Sequence, residues 1–209
     1  LHTGDWKIDP NPLIGGNIDQ KKLEDIGKKG VIAMICDSTN VFSEGRAGSE
    51  LDVRESLVRI METKNKKIIV TSFASNVARM ETIFYCAKKT GRNICLVGRS
   101  MHKIYKAARQ CGYLQNLLEP IDPRDAKKTP RNKIIYLCTG SQGEPMGAMN
   151  RIVNGIHPDV FLEKEDVVIF SSKIIPGNEK KLYKLQNQIT KEDVEIITEE
   201  NAFVHVSGH

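Results

Sequence analysis

Short apolar runs rich in β-branched residues recur along the chain at 31–36, 67–73, 93–97, 133–138, 167–171 and 194–197, each bounded by Gly, Asp, Asn or Ser. Runs of this length, apolar at consecutive positions, predict buried strands. Between them the apolar spacing turns helical, at 51–64 (Leu51, Leu57, Val58, Ile60, Met61), 76–90, 101–114, 147–156 and 178–191. Alternation of this kind predicts an α/β fold, with a mostly parallel sheet and helices on both faces, because parallel neighbours need crossover connections. Ser49, Ser75 and Ser100 stand where helix N-caps are expected, and Gly91 and Gly112 where helices should stop. Residues 1–30 do not join the alternation. Asp9-Pro10-Asn11-Pro12 and Gly15-Gly16 are turn chemistry, a short charged helix follows at about 19–28, and the whole piece reads as a different structural unit.

Composition narrows the class. The chain has 209 residues, 40% hydrophobic and 27% charged, enough for a real core in one or two domains, which excludes disordered and fibrous proteins. Its longest apolar runs, such as Val31-Ile32-Ala33-Met34-Ile35-Cys36, stop short of the roughly 20 residues a membrane-spanning helix needs, so a soluble protein is expected. Thirty-one Lys and Arg against 26 Asp and Glu leave a net charge of +5, which favours a polyanionic partner. The lysine pairs are spread along the chain and read mainly as solvated helix ends and loops. Five cysteines without CxxC spacing, three of them in apolar runs, fit a reducing cytoplasm, and no secretory signal pattern is present. The chain starts at Leu1 and stops at His209 inside a motif-like stretch, which reads as a piece of a longer protein.

In α/β sheets ligands gather beyond the carboxyl ends of the strands. Here those ends read Asp37-Ser38-Thr39-Asn40, Ser72-Phe73-Ala74-Ser75-Asn76, Gly98-Arg99-Ser100, Thr139-Gly140-Ser141-Gln142-Gly143-Glu144 and Ser171-Ser172. Small, hydroxyl and amide residues beside helix N-termini suit a phosphate, and they equally suit plain helix capping. Neither a GxxxxGK[ST] loop nor a GxGxxG fingerprint occurs. At the other end, His205-Val206-Ser207-Gly208-His209 would place His205, Ser207 and His209 on one face of an extended segment. Asp5 and Asp37 are carboxylates that can bind a metal, orient a histidine, or simply close a turn.

Taken together, these strings resemble the β-CASP branch of the metallo-β-lactamase superfamily and, within it, the ribonuclease J family. The matching stretches are His2-Thr3-Gly4-Asp5-Trp6-Lys7-Ile8-Asp9, Cys36-Asp37-Ser38-Thr39-Asn40, Phe73-Ala74-Ser75-Asn76, Gly98-Arg99-Ser100-Met101, Cys138-Thr139-Gly140-Ser141-Gln142-Gly143-Glu144-Pro145, Ile175-Pro176-Gly177-Asn178-Glu179 and 205–209. They occur in the family's order from one end of the chain to the other.

The resemblance implies a metal-dependent ribonuclease whose metallo-β-lactamase half holds two divalent ions, zinc or manganese, while an inserted α/β domain clamps RNA over them. Residues 1–45 would be a partial metallo-β-lactamase αββα segment, 46–204 the β-CASP domain, and 205–209 the return to the metal-binding half. Asp5 matches a metal-bridging aspartate, and Asp37 and His209 match catalytic motif residues near the scissile phosphate. His205, Ser207, Gly208, Ser171, Ser172, Asn178 and Arg99 form the expected 5′-phosphate and RNA-binding set, with Arg79 and the lysine-rich helices on the sugar–phosphate backbone. The implied activity is 5′-to-3′ exonuclease with endonuclease capacity on single-stranded RNA bearing a 5′-monophosphate, in a cytoplasmic homo-oligomer. The family's HxHxDH loop is absent from these residues. This piece alone is therefore expected to retain no metal and to cut no RNA. A non-catalytic RNA-binding or assembly module is the alternative, and an unrelated doubly wound enzyme for a nucleotide or phosphosugar is a third reading.

Overall fold

The computed structural model describes residues 1–209. Five strands, β1 (Ile68–Thr71), β2 (Asn93–Val97), β3 (Ile134–Cys138), β4 (Val167–Phe170) and β5 (Glu195–Ile197), form one sheet in the order β2-β3-β1-β4-β5. Every pairing is parallel, with Ile68 opposite both Ile135 and Val167. The α/β fold with a parallel sheet is therefore as the apolar pattern predicts.

Side chains alternate across each strand, and the core divides accordingly. Ile68 and Val70 point into one layer with α2 (Glu50–Glu62), α3 (Val77–Lys89) and α4 (Arg99–Gln110), where Phe84 stacks on Tyr105 at 5.5 Å between ring centres. Ile69 points into the other, with α5 (Pro123–Ala126), α6 (Ala148–Val153) and α7 (Glu179–Lys191). Both faces of the sheet are covered, which is why its strands read as continuous apolar runs. No helix is long and apolar enough to cross a membrane.

Helix starts follow local chemistry. Ser49 and Asp52 make a capping box at α2, as expected of Ser49. Asn76, not Ser75, caps α3, its side chain accepting from the Arg79 amide, and α4 starts at Gly98 without the Ser100 cap. The short α5 escapes helical periodicity altogether. Its signal is Asp122-Pro123, a cap followed by the one residue pre-set for the first helical position.

At the amino ends of the strands the fully buried Asp166 accepts from Lys67 (3.0 Å) and Arg131 (2.7 Å), clipping the starts of β1 and β4 together. At the carboxyl ends, Gly140 and Gly147 let the loop after β3 fold tightly onto α6. A Cβ on Gly140, whose φ is +109°, would come within 2.9 Å of Met149 Cβ, and one on Gly147 within 2.7 Å of Gly140 Cα.

The run 31–36 departs from its expectation. It makes no strand, only one bridge from Ile35 to His2, and Ile32, Met34 and Ile35 face solvent. An apolar run becomes a buried strand only where a neighbour completes its ladder and a layer covers its face, and nothing here packs on it. No residue before Ser49 is buried, including those of the charged helix α1 (Gln20–Lys28). Phe84→Ala should therefore cost about 3–5 kcal/mol in urea unfolding. Ile32→Ala, by contrast, should stay within about 0.5 kcal/mol of the parent.

Candidate functional site

Past β5 the chain returns along the first helical layer. Val204 and Val206 are buried in that layer, so His205, Ser207 and His209 fall on the other side of the segment, as period-two alternation requires.

This segment meets the loop at 37–40. Asp37 accepts from the Thr39 amide (2.8 Å) and the Trp6 amide (3.3 Å), and its own carbonyl accepts from the Trp6 indole (3.3 Å). His209 Nδ1 lies 3.1 Å from Asp37 Oδ1. Asn40 Nδ2 donates to Ser207 Oγ and to the His209 carbonyl, both at 3.0 Å, across up to 169 positions of sequence. The Ser207 hydroxyl also accepts from the His209 amide (3.1 Å), and Lys7 Nζ donates to the Ser207 carbonyl (2.8 Å). Asp37 and His209 are therefore brought together, with Ser207 beside them.

The charges of the cluster follow from these contacts. The Thr39 amide, then the Thr39 side chain, hold the Asp37 carboxyl well below the usual carboxylate range, with Trp6 and His209 adding to the effect. The His205 imidazole is lowered as well, which for a base means that it stays neutral. Burial first, then the positive charges of Arg79, Lys173 and Lys7, push its imidazole down to about 4, and its Nδ1 is enclosed without a partner. The segment thus holds a neutral histidine at His205, and the loop it meets holds a carboxylate at Asp37 that stays ionised.

Arg79 is placed against expectation. It is fully buried and does not face solvent, which corrects its assignment to the RNA backbone. Its Nε and Nη2 meet the Glu50 carboxylate at 3.1 and 2.9 Å, and Nη1 donates to the Ser171 carbonyl (2.8 Å), Ser171 Oγ (2.6 Å) and the Val204 carbonyl (2.8 Å). Ser171 is buried too, and its hydroxyl donates to the Val204 carbonyl at 2.7 Å, so it braces the return segment from within.

Gln142, quoted in the sequence only as part of a motif, organises the neighbouring loop. Its amide donates to the Lys173 carbonyl (2.9 Å) and the buried Ser172 hydroxyl (3.3 Å), and accepts from the Ile175 amide (2.8 Å) and Asn178 (3.4 Å). Asn178 thus joins this loop. Arg99 is exposed at the start of α4, Gly208 is exposed in the return segment, and no hydrogen bond or ion pair joins Asp5 or Arg99 to the cluster.

A dinuclear metal centre needs several side-chain ligands per ion. No three His, Cys, Asp or Glu side chains converge in this chain, and Asp5 is exposed. The residues present do not by themselves fit such a centre.

Comparison with known proteins gives the lineage. The family model described as "Ribonuclease J, beta-CASP domain" matches residues 65–189, more than half of the chain. The chain belongs to the ribonuclease J family. The match covers the whole parallel sheet except β5. Proteins named Ribonuclease J are similar along the entire chain, at 38% identity in Sinorhizobium meliloti and 33% in Thermus thermophilus. In Mycolicibacterium smegmatis the identity is 39%. The chain spans 37%, 36% and 38% of the length of these three relatives, respectively.

The depressed His205 has a measurable consequence. Between pH 6.5 and about 4 the unfolded chain takes up a proton that the folded site refuses, so stability is full above this window and falls as pH falls through it. The slope from this one group should approach ~1.4 kcal/mol per pH unit. His157 is lowered by burial as well, so the test is the difference between parent and His205→Gln. Urea midpoints should decline less steeply with falling pH in the variant.

Proposed function

We propose that this chain is the RNA-clamping portion of a ribonuclease, and that its 205–209 segment, docked on residues 37–40, receives the 5′-terminal phosphate of single-stranded RNA. The apposition of Ser207 and His209 with Asp37 and Asn40, with His205 on the same side of the segment, carries this reading. The positive charges of Arg79, Lys173 and Lys7, which act with burial to keep His205 unprotonated, favour an arriving phosphate dianion, and the Ser207 and His205 side chains supply polar atoms on one face. A pocket that anchors the 5′ end would set a 5′-to-3′ direction of degradation, with internal cutting where RNA enters unanchored.

In this proposal residues 1–45 are part of the metal-binding half, 46–204 the β-CASP domain, and 205–209 the return between them. Asp37 and His209 act next to the scissile phosphate. Asn178 and Gly208 complete the RNA-facing set with Arg99, and the buried Ser171 and Ser172 support it from beneath. The dependence on two divalent ions, zinc or manganese, belongs to the whole ribonuclease, with Asp5 as this chain's contribution. RNA processing and decay in the cytoplasm, by a homo-oligomer, complete the proposal.

The test is the affinity of this chain for one short oligoribonucleotide with either a 5′-monophosphate or a 5′-hydroxyl. Both affinities should fall with salt. The monophosphate should bind more tightly, and Ser207→Ala or His205→Ala should reduce that preference by about tenfold, as for loss of a hydrogen bond to a charged group. Equal binding of the two ends would refute the 5′-phosphate reading. Binding to neither would favour an assembly module over an RNA clamp.

A further inference from the structure

We infer that Arg79 is the positioning residue of the 5′-end pocket, setting the place of His205 and Ser207 from inside the core without touching RNA. This inference rests on the 5′-phosphate reading above. Four parts of the chain converge on one guanidinium: the first turn of α2 through Glu50, α3 through Arg79 itself, the carboxyl end of β4 through Ser171, and the return segment through Val204. The Val204 carbonyl is the last backbone group before His205, and it accepts from both Arg79 and the Ser171 hydroxyl.

The residue type matters. A planar fork with donors at fixed angles can hold a carboxylate on one edge and two backbone carbonyls on the other, which a lysine ammonium cannot reproduce. A buried ion pair is a poor device for stability alone, since an apolar pair of similar volume often serves as well. What the apolar pair lacks is direction. Replacing the guanidinium frees Val204 to move along the core while the valines stay buried, and the pocket residues beyond it lose their register.

The experiment compares the parent chain with Glu50→Met/Arg79→Met, which removes both charges together, and with Arg79→Lys, which keeps the charge and loses the fork. Two readouts are taken: amide order parameters of residues 204–207, and the ratio of affinities for 5′-monophosphate and 5′-hydroxyl oligoribonucleotides. The double variant should remain folded, with order parameters falling from about 0.85 towards 0.6 at 204–207 and unchanged in β1 and α3. Its preference for the monophosphate should fall about tenfold, while affinity for the 5′-hydroxyl strand stays within about twofold. Arg79→Lys should recover little of either, because charge without the fork does not hold Val204.

Unchanged order at 204–207 together with an unchanged preference would overturn the inference. If the parent shows no end preference, the pocket reading fails on its own, and the order parameters alone decide whether Arg79 holds the segment. Should the double variant fail to fold, Ser171→Ala removes one of the two donors to Val204, and smaller shifts of both readouts in the same direction are required. Retained preference with lost order in Arg79→Lys would reassign Arg79 to a purely electrostatic role and overturn the inference.

Discussion

A single guanidinium without solvent ties four separate parts of this chain together. Arg79 needs a carboxylate to neutralise it and carbonyl oxygens to fill its remaining donors, and each comes from a different part of the chain. An uncompensated charge at that depth is strongly unfavourable, so α2, α3, β4 and the return segment must arrive together or not at all. Glu50 can reach it because the Ser49 capping box fixes where α2 begins. The segment carrying His205, Ser207 and His209 is thus tied to the core at Val204 as well as to the surface loop at 37–40.

The two ends of the parallel sheet use charge in different ways. At the amino ends Lys67, Arg131, Glu163 and Asp166 neutralise one another in a closed ion-pair network that pins strands. At the carboxyl ends the charges are separated. Asp37 is kept ionised by amide donors, while Lys7, Lys173 and Arg79 surround a histidine that stays neutral. The first arrangement closes on itself, while the second gathers charged and polar groups where strand-end loops open, the end at which α/β sheets bind ligands.

Residues 1–45 show the limit of local pattern. Ile32, Met34 and Ile35 have the character of a core strand and lie in solvent, held by a bridge to His2 and by backbone hydrogen bonds to Leu1. Hydrophobic character supplies a driving force, but burial needs a partner surface. Asp37 and Asn40, immediately after this run, are nevertheless fixed, because their contacts reach the opposite end of the chain.

The layered α/β architecture could be read from the chain alone, because continuous apolar runs and apolar spacing at period 3.6 are local properties, carried by the strands β1–β5 and by helices α2–α4, α6 and α7 respectively. The sequence also placed His205, Ser207 and His209 on one side, since alternation in an extended segment needs no tertiary information. Family membership was legible in the ordered motif series, because each motif is short and contiguous. That 31–36 is not a strand, that Arg79 lies in the core and that Ser171 turns inward are set by contacts between distant segments. The tertiary structure alone joined Asn40 to His209 across 169 positions. These are long-range outcomes: the same arginine reads as a surface cation or a core brace according to whether a carboxylate 29 positions away and carbonyls 92 and 125 positions away are folded against it. Local sequence carries no term for that distance, and the packing of the whole sheet supplies it.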